Sequence, residues 1–194
     1  MPSALPNVSD AWDRIESWLR ANAPADSCEL SEGASIADIK RAEAVMGCRL
    51  PDDVRESYRI HNGSNRTWLF QQGFLMPLGD EAEPCTVVGI WTGMLDCAEM
   101  MKNERGTPNG PIKADWWNQK WIPLTENDGG DFICVDLAPE SGGRIGQVID
   151  WSHELAATVV LEKSWCDWLE SLAVRLESGG CRFAVDGYGG IEPI

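Results

Sequence analysis

Three groups of residues have the types and spacing that chemistry needs. Ser152-His153-Glu154 places a hydroxyl, an imidazole and an acid in one run. Consecutive residues on a strand or turn point different ways, so the run cannot by itself form a nucleophilic relay. Asp128, Asp131 and Asp136 sit at and after a turn, and paired carboxylates can do acid/base work or hold a hard cation. The calcium-loop template of alternating acids before a glycine is not met. Turn chemistry, in which an Asp side chain bonds local backbone amides, is the reading for Asp128 and applies equally to Asp131. Trp116, Trp117 and Trp121 lie close together among ten tryptophans. They read either as core and loop anchors or as a platform for sugar rings or bases.

The remaining polar residues point away from catalysis. The seven cysteines stand at 28, 48, 85, 97, 134, 166 and 181, with no CxxC pair among them. Zinc sites show close pairs, so these are read as buried, reduced thiols used as small apolar residues. His61 falls in the last turn of a helix, where an imidazole suits the negative helix end. Gly142, Gly143 and Gly146 mark a turn between strands, not a loop opening a helix, so no phosphate-binding loop is expected. No metal, cofactor or catalytic residue is assigned, and the chain is expected not to be an enzyme.

The elements that position these residues follow from periodicity. Trp121–Glu126 and Phe132–Asp136 alternate on either side of Asn127-Asp128-Gly129-Gly130, a strong hairpin signal because a tight turn needs positive φ angles. Both strands are apolar on both faces, as central strands covered by helices would be. A first helix has Trp12, Ile15, Trp18 and Leu19 on one face, capped by Ser9 or Asp10 and ended by Pro24. Ser35 caps a second, with Ile36, Ile39, Ala42 and Met46 inward and Gly47 beyond its end. Pro51 opens a third, which buries Val54 and Tyr58.

Short extended pieces follow between Thr67 and Leu78. A helix is expected from Pro84 to about Asn103, with Gly89 and Gly93 letting a neighbouring element approach. Ile145, Gln147, Ile149 and Trp151 alternate as a strand, and Thr158–Leu161 makes a short one. Ser164 caps a helix whose stripe is Trp165, Trp168, Leu169, Leu172 and Leu176. Cys181, Phe183 and Val185 alternate as a last strand. The sum is an α+β domain: N-terminal helices and a C-terminal helix packed on a central, mainly antiparallel sheet.

Length and charge set the frame. The 194 residues suit one domain, and a chain of that size buries about 70% of its unfolded surface. No apolar run reaches the ~18 residues of a membrane span, and Met1–Pro6 lacks the features of a signal peptide, so the expectation is cytoplasmic. Thirty-one acids against 16 Lys plus Arg give a formal charge of −15. That field repels nucleic acid and anionic membranes and favours a basic protein partner.

The ordered motifs WDRIESWL, GASIADIKRAEAVMGCRLPDDVRESYRIHNGS, WIPLTENDGGDFICVDLAP, GGRIGQVIDWSHE and SWCDWLESLAVRLESG resemble the SUKH superfamily. That superfamily includes the fungal Smi/Knr regulators of cell-wall assembly and many bacterial proteins. The resemblance covers roughly residues 10 to 180, and LP-x-x-V-x-x-S-Y-x-x-HNG is its most distinctive phrase. It implies one α+β domain over residues 1–194 with no chemistry of its own. The compact form resembles the bacterial immunity proteins, which implies a cognate toxin, such as a nuclease, as the partner. The alternative is a cell-wall-linked regulatory or carbohydrate-binding module similar to the fungal regulators. The candidate partner surface is the hairpin turn, with Glu126, Asp128 and Asp131, and the nearby Trp116 and Trp117.

Overall fold

The computed structural model describes residues 7–24, 29–65, 67–69, 73–80, 83–185 and 189–194. Cys28, Met1–Pro6 and the segment Phe70-Gln71-Gln72 of the first extended pieces lie outside the described residues. Five helices are present: α1 (Val8–Asn22), α2 (Ile36–Met46), α3 (Asp52–Ile60), α4 (Val87–Met100) and α5 (Trp165–Glu177). A five-stranded antiparallel meander runs in the order β1 (Phe74–Leu75), β2 (Trp121–Glu126), β3 (Phe132–Asp136), β4 (Gln147–Ser152) and β5 (Ala156–Glu162). A separate ribbon pairs β6 (Cys181–Ala184) with β7 (Gly190–Pro193). The domain is therefore α+β, as the alternation of patterns indicates.

Local chemistry explains where the helices start. Asn7, not Ser9 or Asp10, caps α1: its side-chain oxygen accepts the Ser9 amide at 2.9 Å, which brings Val8 into the core. Ser35 and Asp38 form a reciprocal capping box on α2, and Gly47 closes that helix in the left-handed region at φ +59°. Pro51 is the cap residue of α3, one position before its expected place. α4 begins at Val87, later than Pro84, because the Thr86 hydroxyl accepts the Gly89 amide at 3.1 Å. A methyl group on Gly89 would lie 2.0 Å from the Glu83 carbonyl oxygen, so what approaches closely is the turn before α4; Gly93 faces open space.

The register sorts the sheet into two rows. Phe132, Cys134 and Asp136 face Trp151, Ile149 and Gln147 across β3–β4. Side chains two apart share a face, so these six lie on one side of the sheet. The loop between α4 and β2 covers that side with Ile112, Trp116 and Trp117. On the other side Ile122, Ile133, Val135 and Val148 are fully buried, with α4 against β2 and α5 against β4 and β5. Ile145 does not extend β4: Gly146 at φ +91° turns the chain and leaves Ile145 71% exposed. The glycine-containing tail, which carries little periodicity, forms β7; Trp68 joins it in parallel, with the Ile191 amide donating to the Trp68 carbonyl at 2.7 Å.

Gly73 shows how tightly β1 approaches β2. Its φ is +106°, and a Cβ there would lie 1.7 Å from the Glu126 carbonyl oxygen. Gly73→Ala is expected to lower stability by about 1–3 kcal/mol, read as a fall in the thermal midpoint.

Candidate interaction surface

Antiparallel topology brings the β2–β3 and β4–β5 turns to the same end of the sheet. In the first turn Asn127 does the organising. Its side-chain oxygen accepts the amides of Gly129 at 2.9 Å and Asp131 at 2.8 Å, and its side-chain amide donates to Asp131 Oδ2 at 3.0 Å. The turn chemistry that the sequence suggests for Asp128 therefore belongs to Asn127, which has the acceptor one residue earlier, and Asp128 projects at the exposed tip. In the second turn the Ser152 hydroxyl oxygen accepts the amides of Glu154 and Leu155 at 3.3 and 3.2 Å.

Asp131 splints the two turns. Its Oδ1 accepts both the backbone amide of His153 at 3.1 Å and a hydrogen bond from His153 Nδ1 at 3.0 Å. Partial burial pushes the Asp131 carboxyl up, but the bonds from Asn127 and His153 together outweigh it, and the carboxyl titrates below its ordinary range. Ser152, His153 and Glu154 thus belong to a turn, not a relay. The pairing of Asp131 with His153 is legible only from the register of β3 on β4, which brings their ends together.

The sign of the pH effect follows from linkage. A carboxyl whose folded value is depressed adds stability above its unfolded titration range, and that stability disappears as pH falls through the lower folded value. Asp131→Asn is expected to cost about 1 kcal/mol near neutral pH. The two proteins should converge in stability as the solution becomes acidic, measured by urea unfolding across pH.

The tryptophans are not an open platform. Trp121 is fully buried and Trp117 only 5% exposed; Trp116 is half-buried. Trp116 and Trp117 each meet Trp151 edge-on at 5.3 Å, and Phe132 stacks on Trp151 at 5.2 Å. The Trp151 indole N–H donates to the Trp116 carbonyl at 2.7 Å. Trp116 and Trp117 therefore anchor the covering loop, because the hydrophobic area of an indole is gained by burial against this face. Of the five candidate residues, Asp128 is exposed, Glu126, Asp131 and Trp116 are half-buried, and Trp117 is core. Exposed His153 and Glu154 complete the rim.

The other reactive groups are held in quiet states. Burial pushes the thiols of Cys48, Cys134 and Cys181 up and that of Cys166 up to about 11, the reverse of nucleophilic activation. Buried Asp136 accepts the Ala138 amide at 2.9 Å and the Gln147 side-chain amide at 3.0 Å, and burial raises its carboxyl. Gln147 also donates to the Pro111 carbonyl at 3.1 Å, which ties the covering loop to β3 and β4. His61 places its two ring nitrogens 3.1 Å from the Ser31 carbonyl and 3.0 Å from Glu16, edge-on to Trp12. Among the described residues no group of His, Cys, Asp or Glu could hold a metal, and no helix is long and apolar enough to cross a membrane.

Comparison with known proteins adds a lineage. The sequence model of the SMI1 / KNR4 family (SUKH-1) matches residues 33–171. The chain is 31% identical over 193 residues to the cell wall biosynthesis/cell cycle regulator smi1 of Schizosaccharomyces pombe, covering 91% of this chain and 38% of that protein. It is 26% identical over 213 residues to the glucan synthesis regulatory protein of Neurospora crassa, covering 92% and 40%. It is 24% identical over 206 residues to the cell wall assembly regulator SMI1 of Saccharomyces cerevisiae, covering 87% and 40%. The chain thus spans less than half the length of these curated relatives.

Proposed function

This chain belongs to the SMI1/KNR4 family (SUKH-1), and from that premise we propose that it is a non-catalytic regulatory module that acts in the cytoplasm by binding another protein. The observation that carries the reading is similarity over about nine-tenths of the chain to fungal proteins named as regulators of cell-wall assembly and glucan synthesis. The engagement of Ser152, His153, Asp131 and His61 in structural hydrogen bonds supports binding over chemistry. The relatives' names favour the regulatory reading over toxin occlusion, the leading expectation from the sequence. Burial of Trp117 and Trp121 disfavours a sugar platform.

The acidic rim of Glu126, Asp128 and Asp131, joined by Glu154, is the surface offered to a basic partner. Trp116 and Trp117 support it from beneath. Charge of this kind sets encounter rate and partner choice more than affinity. Affinity capture of the tagged chain from its native lysate, at low and then moderate salt, tests the proposal. A protein of cell-wall synthesis or its signalling, held in near-equal amount and weakened by salt, is the expected result. A toxin domain in that position would replace the regulatory reading with occlusion, and retention of no protein at either salt would count against both.

A further inference from the structure

At the end of the sheet opposite the acidic rim, the N-termini of α3 and α5 meet the β3–β4 connection around an open groove of about 470 Å³. We propose that this groove docks an extended segment of a partner protein in which a basic side chain lies next to an aliphatic one. The inference rests on the protein-binding reading and gives it a second surface.

The two walls differ in chemistry. One carries Ile145, 71% exposed, beside the exposed Arg144. The other carries Asp52, Asp53 and Asp167, three carboxylates facing one arginine, so the groove complements a cation. The Asp52 side chain is 84% exposed, and the ion pair it makes is with Arg49, itself 71% exposed. A pair so exposed holds little free energy, so a partner's Lys or Arg can displace Arg49 at small cost. Ile145 then offers the aliphatic neighbour a contact that removes apolar surface on both sides from water.

The groove is built before anything enters it. Asp53 Oδ2 accepts the Cys166 amide at 3.0 Å and ties α3 to α5. The Gly146 amide donates to the Asp136 carbonyl at 2.8 Å, and a Cβ on Gly146 would lie 3.4 Å from Pro51 Cγ. The turn that presents Ile145 is thereby pressed onto the start of α3. A rigid receptor avoids the ordering cost that weakens most peptide complexes, and the volume is that of ordinary ligand sites, roughly 300–1,000 Å³.

The test is a titration of isotope-labelled full chain, followed by amide shifts, with a capped hexapeptide of alternating lysine and leucine. Capped peptides of alternating glutamate and leucine, and of lysine and serine, serve as controls. Expected are saturating shifts at 51–53, 144–147 and 164–168 with the lysine–leucine peptide at millimolar concentration, reduced by salt and weaker with both controls. Ile145→Ser and Asp52→Lys, both at exposed positions, should each weaken binding about tenfold. The proposal is overturned by no shifts with this peptide, by shifts confined to the acidic rim, or by equal binding of the glutamate peptide. It is overturned equally if the variants bind unchanged, or if the chain alone dimerises and Ile145→Ser restores the monomer. A native partner still held by the doubly substituted chain would remove the groove and leave the binding-module reading intact; loss of every partner by the unsubstituted chain would remove that reading itself.

Discussion

Trp151→Ala is expected to lower the unfolding free energy by about 3–5 kcal/mol. Trp151 is 1% exposed and stands where β4 crosses the aromatic cluster, against Trp116, Trp117 and Phe132. Truncation opens a cavity among side chains that belong to a sheet and to a loop, and the sheet cannot collapse to fill it. It also removes the indole N–H that donates to the Trp116 carbonyl. The covering loop would lose two of its anchors at once. In urea the midpoint should fall with the slope preserved, since a changed slope would signal a change in compactness. Trp116→Ala, at a half-buried position, should cost clearly less. Equal losses from the two substitutions would show that the loop, not the sheet face, sets the stability of this region.

Ser57→Ala is the second large effect, about 2–4 kcal/mol from the loss of a few atoms. Ser57 is 1% exposed, and its oxygen accepts the indole N–H of Trp12 at 2.9 Å and that of Trp165 at 3.0 Å. One hydroxyl on α3 thus joins α1 and α5, using both acceptor lone pairs. Removing it deprives two fully buried indoles of this acceptor at the centre of the helical layer. Desolvated donors without an acceptor cost more than the net worth of the bonds they made. Ser57→Thr keeps the oxygen and should recover part of the loss. If alanine proves as stable as serine in chemical denaturation, the shared acceptor is not what holds the three helices in register.

What the sequence discloses, and what it withholds, divides along physical lines. The β2–β3 hairpin was legible because both the alternation and its turn residues are local, and Ser35 and Ser164 announced their helices because capping is satisfied within three residues. The role of Ser57 was not, since it depends on partners 45 and 108 residues away. Ile145 fits a strand pattern yet lies outside it, because the backbone at Gly146 breaks the alternation that composition alone suggests. β7 went unseen for the opposite reason: its partners, β6 and Trp68, create a strand where the sequence shows little pattern.

The candidate surface was legible in part. The acids of the hairpin turn do lie together at one end of the sheet, whereas the tryptophans placed beside them are mostly buried. Spacing alone does not tell an exposed indole from one under a loop. The Asp131–His153 pair and the groove beside Ile145 join residues far apart in sequence, so only the register of the strands and the meeting of two helix ends bring them out.

The account holds that this chain acts by stoichiometric binding of a protein and not by turnover. Calorimetric titration of the purified chain into the partner recovered by capture tests this most directly. The prediction is a saturating curve with one chain bound per partner molecule, with affinity falling as salt rises. Heat that continues to evolve at strongly substoichiometric amounts of the chain, or no heat and no complex at any ratio, would contradict it.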